Sequence, residues 1–239
     1  MKVELINYTQ DAAELLIFTK QTRLELSPGL FDEIKNWHVE KKQKELEYMA
    51  NTIPSSWEFV DYTFLVTGVS RAYTHQQVRT RAGSYAQQTM RVTDMSDFEY
   101  VFSESIEKSP LAEAIVRNCL ASISSAYRSL IEIGQEPEDA RGILPTNIAT
   151  NIICKFNLRT MTELAKSRTG GRTQGEYQAV INAMIDAILV VHPWAEKFLF
   201  QQDRDLFNEI EEFAKREFPD LKKRGELLKI VDHLRKKVM

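Results

Sequence analysis

Residues 57–69 alternate in character: Trp57, Phe59, Asp61, Thr63 and Leu65 fall on one side, and Glu58, Val60, Tyr62, Phe64 and Val66 on the other. A period of two, rich in aromatic and β-branched residues, predicts a long strand that Gly68 ends. Ser70 then supplies a capping oxygen for a helix running to about Arg81. The rest of the chain must be arranged around this strand-to-helix unit. Residues 3–8 read as a short strand, and residues 11–24 and 31–51 as helices. The second helix carries Ile34, Trp37, Leu46 and Met49 as a loose apolar stripe. Pro54, Ser55 and Ser56 break the chain ahead of the central strand. Residues 110–135 predict a long helix with Leu111, Ile115, Leu120, Ile123, Tyr127 and Leu130 turned inward. Pro137-Glu138-Asp139 opens a short helix that Leu144-Pro145 stops. Residues 150–156 read as a buried strand, 159–167 and 173–191 as helices parted by Gly170-Gly171, and the remainder as a charged helical tail. The order is mixed α/β, with too few strands between helices for a doubly wound sheet.

Composition narrows the function. A net charge of −3 excludes a general nucleic-acid binder or membrane-surface protein. No apolar run reaches the roughly 20 residues that a membrane helix needs. The acidic start, Met1-Lys2-Val3-Glu4, does not read as a signal peptide. Two distant cysteines, Cys119 in the long helix and Cys154 in a strand, are expected to be buried, inert thiols of a reducing compartment. The expectation is a cytoplasmic enzyme. Four histidines lack ligand spacing with cysteine or acid, so no zinc site is expected. No G-x-S-x-G, Walker loop or G-x-G-x-x-G occurs.

Chemistry concentrates in residues 79–91, where Arg79, Arg81 and Arg91 crowd with Ser84, Gln87, Gln88, Thr89 and Met90. Such a segment offers charge-assisted, often bidentate donors for phosphate. On the expected helix, Gln76, Arg79 and Thr80 lie at i, i+3 and i+4 and so line one face. Arginines near a helix C-terminus also suit the helix dipole without binding anything. The polar stretch that follows has no such explanation. A second basic group, Arg141, Asn147, Asn157, Arg159, Arg168 and Arg172, flanks the strand at 150–156, close enough to element ends to reach one rim.

Residues 63–81 resemble the strand and helix that lead into the signature of the flavin-dependent thymidylate synthases. That signature is an arginine-histidine-arginine, two serines and a closing arginine-tyrosine. Here it reads Arg79-Thr80-Arg81, Ser84, Thr89 and Arg91-Val92. Ala140-Arg141-Gly142-Ile143-Leu144-Pro145 is similar to a second family motif. Asn157-Leu158-Arg159, followed by Arg168, Gln174 and Glu176, is similar to a third. The matches run in order over roughly residues 45 to 200. The resemblance implies a twisted, largely antiparallel sheet wrapped by helices, in a homotetramer with shared active sites. It also implies methylation of a pyrimidine nucleotide at C5, most simply dUMP to dTMP. FAD would be the cofactor, with methylene-tetrahydrofolate and NADPH as co-substrates.

By the same resemblance, Ser55, Arg79, Thr80, Arg81, Asn157 and Arg159 are the FAD-binding positions. Gln76, Gln87, Gln88, Thr89, Met90, Arg91 and Arg141 bind the nucleotide, with the two arginines on its phosphate. Arg168 holds the pyrimidine and is the catalytic candidate. Residues 1–200 form the catalytic domain and 201–239 a helical extension of it. The family's histidines are replaced by Ile53, Phe59, Thr80 and Arg172. This motivates two alternatives: a divergent enzyme methylating or hydroxymethylating UMP or dCMP, or a nucleotide- or flavin-binding protein without catalysis.

Overall fold

Pro54 decides where the central strand begins. In the computed structural model, which describes residues 1–200 except 25, 94 and 171–172, together with 206–217 and 220–238, Pro54–Phe59 forms a 3₁₀ turn. Trp57 is buried there, its Nε1–H donating to the Met49 carbonyl at 3.1 Å, while Phe59 is exposed. The alternation at residues 57–60 is therefore that of a turn, and the strand starts four residues later than expected. It is β2, Asp61–Ser70. Nor does Gly68 end it. With φ at 65°, Gly68 sits where the register slips between Val66 and Val69, and pairing resumes beyond the bulge.

Around β2 lie β1 (Lys2–Tyr8), β3 (Ser84–Gln87) and β4 (Ala149–Asn157). They form a four-stranded sheet in the order β1-β2-β4-β3 with every pair antiparallel. This is the mixed α/β, antiparallel architecture anticipated above. β4 is buried on one face only: Ile152, Cys154 and Phe156 face the core, while Asn151, Ile153 and Lys155 are exposed. One face on the core and one outward is usual for antiparallel sheets.

The helices are α1 (Ala12–Gln21), α2 (Leu30–Lys35), α3 (Val39–Thr52), α4 (Arg71–Gln77), α5 (Glu104–Glu107), α6 (Pro110–Glu132), α7 (Pro137–Ala140), α8 (Leu158–Arg168), α9 (Gly175–Val191) and α10 (Glu196–Leu199). The expected helix at 31–51 is thus two helices. Asn36 and Lys42 side chains donate to the last carbonyls of α2, at Asp32 and Lys35, and stop it there. Tyr62, Phe64 and Val66 of β2 meet Met161 and Leu164 of α8 and Tyr177, Ile181, Met184 and Ile188 of α9 in the main core. Each such side chain contributes about 1.5–3 kcal/mol on burial. The Tyr62 hydroxyl meets His192 Nδ1 at 3.0 Å just past α9. A smaller cluster of Met95, Tyr127, Ala140 and Ile148 anchors α6. Leu120 and Tyr127 face inward as expected, but Leu111 and Ile115 are exposed, because only the C-terminal half of α6 covers that cluster.

The chain divides into two compact units, Met1–Phe200 and Gln201–Met239. The second contains α11 (Leu206–Glu217) and α12 (Leu221–Val238), which pack on each other. Among the described residues no helix is long and apolar enough to cross a membrane.

Candidate active site

The segment carrying the signature is organised by its shortest strand. α4 is capped by Ser70, whose Oγ accepts the Tyr73 N–H at 3.0 Å, but it ends at Gln77 rather than near Arg81. Arg79 and Thr80 therefore lie in a turn, and the helical face shared by Gln76, Arg79 and Thr80 does not form. The Tyr85 hydroxyl clamps this turn at the carbonyls of Gln77 (3.0 Å) and Thr80 (2.6 Å). Gly83 follows because a Cβ there would meet the Phe156 ring at 2.4 Å. The polar stretch that follows is β3, paired along β4 from Ser84↔Lys155 to Gln87↔Ile152. Its polar side chains hid the strand; edge pairing with β4 makes it.

β3 spans about 10 Å at roughly 3.3 Å per residue, and the proposed FAD and nucleotide positions separate to its two ends. At the Ser84 end, Arg79 and Arg81 are exposed and lead into the strand. There β4 finishes at Asn157, whose Oδ1 caps α8 by accepting the Thr160 N–H at 2.8 Å. Arg159 pairs with Glu58 at 2.7 Å and approaches Glu163 at 3.6 Å. Ser55 lies on the 3₁₀ turn that carries Glu58, and its Oγ accepts from Arg23 at 3.0 Å.

At the Gln87 end the side chains are bonded to one another. Gln87 Nε2 donates to Thr74 Oγ1 at 2.8 Å. Gln88 N–H donates to the Asn151 carbonyl at 3.0 Å, and Asn151 Nδ2 donates to Gln88 Oε1 at 3.1 Å. Arg71 Nη2 donates to the Gln88 carbonyl at 2.7 Å. Thr89 Oγ1 accepts the Arg91 N–H at 3.1 Å. Arg91 is ion-paired to Glu138, whose backbone carbonyl accepts from Arg141 Nε at 3.1 Å, so one residue holds both proposed phosphate arginines. Met90, between Thr89 and Arg91, is half-buried against the smaller core.

α9 closes this end. Gln174 is hydrogen-bonded to Gln76, and Glu176 accepts from Ser70 N–H at 2.7 Å and Ser70 Oγ–H at 2.5 Å. Tyr177 packs edge-on against Tyr73 and carries the Arg168 guanidinium 5.2 Å from its ring centroid. Arg168 Nε is buried without a hydrogen-bond partner among the described residues. Arg172 lies outside the described residues. Arg71, Thr74, Glu138 and Asn151 received no role from the sequence. Only their contacts across chain separations bring them to this cluster, and no local motif signals it.

The two cysteines are unpaired. Cys154 is buried, and burial pushes its thiol up to about 12; Cys119 is exposed on α6, contrary to expectation, while its neighbour Leu120 takes the inward position.

Comparison with known proteins places the chain in a family. The family described as thymidylate synthase complementing protein matches residues 4–194. The chain belongs to this family. Among its relatives, the flavin-dependent thymidylate synthase of Pyrococcus furiosus is 32% identical over 224 residues, covering 86% of this chain and 91% of that protein. The flavin-dependent thymidylate synthase of Nitratidesulfovibrio vulgaris is 30% identical over 206 residues, covering 80% of this chain and 84% of its own length. The crystal structure of the flavin-dependent thymidylate synthase ThyX from Helicobacter pylori, complexed with FAD and dUMP, superposes with a TM-score of 0.66 at 18% identity. It covers 84% of this chain and 98% of that one, and shares the fold. The family match ends inside the first compact unit, before α11 and α12.

Proposed function

We propose that this protein is a flavin-dependent thymidylate synthase that methylates dUMP at C5 to give dTMP, with FAD as cofactor, methylene-tetrahydrofolate as one-carbon donor and NADPH as reductant. The observation that carries this reading is the division of β3 into two basic ends. Arg79 and Arg81 make no side-chain hydrogen bond or ion pair among the described residues, and they lead into the end of β3 where Ser84 pairs with Lys155, two residues before Asn157. That donor set fits the pyrophosphate of FAD, with Ser55 and Thr80 completing the cradle. When bound, FAD supplies the one-carbon and hydride chemistry. This agrees with a chain whose Cys154 thiol is buried and protonated.

The remaining tasks are positioning and electrostatics. Arg91 and Arg141, held side by side through Glu138, take the phosphate. Gln76, Gln87, Gln88, Thr89 and Met90 orient the nucleotide along the strand exit. Arg168, with an unmet N–H, holds the pyrimidine and stabilises negative charge on the ring as C5 becomes nucleophilic. Residues 1–200 are the catalytic domain and 201–239 a helical extension of it. The enzyme works in the cytoplasm as a homotetramer whose subunits share active sites.

The replaced histidines at Ile53, Phe59 and Thr80 favour one competing substrate reading, UMP or dCMP. Tritium release from C5-labelled dUMP, UMP and dCMP decides between them, and release from dUMP alone is expected. A protein with no flavin band near 450 nm, and unable to take up added FAD, would defeat both readings. FAD binding without turnover of any of the three nucleotides would leave a binding protein.

A further inference from the structure

Arg71 opens α4 and belongs to none of the motifs that place arginines at the nucleotide end. Its backbone is stitched to the segment that follows Arg141: Arg71 N–H donates to the Ile148 carbonyl at 3.1 Å, and Ala72 N–H to that of Thr146 at 2.8 Å. Its side chain runs to the exit of β3, where Nη2 donates to the Gln88 carbonyl, immediately before Thr89-Met90-Arg91. Nε is buried and meets no acceptor among the described residues. Among the described residues no carboxylate pairs with Arg71. Burial and the like-signed Arg141 guanidinium both hold Arg71 below the usual guanidinium range. A half-buried cation with an orphaned donor and a like-charged neighbour is costly, and water does not neutralise it. An anion with several acceptor oxygens does.

We infer that Arg71 is a third phosphate-binding residue of the nucleotide site, joining Arg91 and Arg141 around a phosphate monoester. This rests on the nucleotide reading above and extends it to a residue that the motifs do not reach. A dianionic phosphate offers three strong acceptors to guanidinium forks and compensates the repulsion between Arg71 and Arg141. Arg71 then ties phosphate recognition to the backbone of β3 through Gln88. The same contact would exist if Arg71 merely fastened that strand, so the test must separate charge recognition from support.

The FAD-loaded full-length protein is titrated calorimetrically with dUMP and with deoxyuridine, as wild type, Arg71→Met and Arg71→Lys. For Arg71→Met, dUMP affinity is expected to fall about tenfold or more while deoxyuridine affinity moves by less than about twofold; Arg71→Lys recovers part of the loss. Equal losses for both ligands, or a dUMP affinity within about twofold of wild type, would overturn the assignment. Should Arg71→Met fail to fold, Arg71→Lys decides alone. A reduced preference for dUMP over deoxyuridine at an unchanged melting temperature supports the inference, and an unchanged preference overturns it. Wild-type protein that binds dUMP no better than deoxyuridine would overturn the nucleotide reading itself, and Arg71 with it.

Discussion

At the Gln87 end of β3 the side chains are bonded to one another, whereas at the Ser84 end Arg79 and Arg81 make no side-chain bond among the described residues. The proposed nucleotide end is braced by α4, α9 and the Glu138 turn, with Ser70, Gln76, Thr74 and Asn151 each tied to a partner on another element. The proposed flavin end is braced at its backbone, through the Tyr85 hydroxyl on the turn carbonyls, and by carboxylates around Arg159. One end presents a preformed constellation. The other presents exposed cations on a fixed turn. Preorganisation lowers the ordering cost of binding, so the nucleotide end suits a small ligand that must be placed accurately. The flavin end suits a long cofactor that contributes its own surface.

The comparison is most exposed to Glu176→Ala. That change removes the acceptor of both Ser70 donors and weakens the tie between the start of α4 and α9; we expect about 3 kcal/mol of lost stability in denaturant unfolding, together with weaker nucleotide binding. Flavin uptake per folded molecule should stay near wild type. A protein that loses both ligands equally would show that the two ends are not separable. Next, Arg91→Ala should weaken nucleotide binding by about 2 kcal/mol, the scale of a charge-assisted contact, and leave the flavin spectrum unchanged; unaltered affinity would remove Arg91 from the site. Gly83→Ala tests the other end. A Cβ facing the Phe156 ring must displace the turn that carries Arg79 and Arg81, costing about 1.5 kcal/mol. Here FAD affinity should drop more than dUMP affinity.

The smallest effect concerns pH. Burial lowers the His192 pKa below its ordinary 6.5, with Glu14 partly opposing. The unfolded chain therefore takes up this proton first, so the stabilisation is complete above about pH 6.5 and is lost as pH falls through the folded value. Because Tyr62 hydrogen-bonds His192 and pairs with Phe156 next to Asn157, acid should loosen the flavin end first. A pH series of melting temperatures on wild type and His192→Gln checks this, with a flatter acid limb expected in the variant.

Much of the fold could be read locally. The strand at β4, the Ser70 cap and the proline-opened α6 and α7 are short-range signals, and each appears where the residues indicate, although β4 is buried on one face only. The misreadings have separate causes. Residues 57–60 alternate like a strand yet turn, because Pro54 and the buried Trp57 indole fix a 3₁₀ geometry. Residues 84–87 look like a polar loop yet form β3, because an exposed edge strand needs only backbone pairing. The helix that was to carry Arg79 stops at Gln77, whose carbonyl accepts the Thr80 N–H of the turn and the Tyr85 hydroxyl.

By itself, the sequence determined the mixed α/β class, the family and the basic segment from Arg79 to Arg91, since motifs and hydrophobic periods are local and survive without coordinates. Tertiary structure alone decided that this segment has two ends, that Arg168 is left with an unmet donor over Tyr177, and that Arg71 stands beside Arg141. These depend on contacts between residues many positions apart, which follow from how β3 docks on β4 and α9 on α4 rather than from any neighbouring residues.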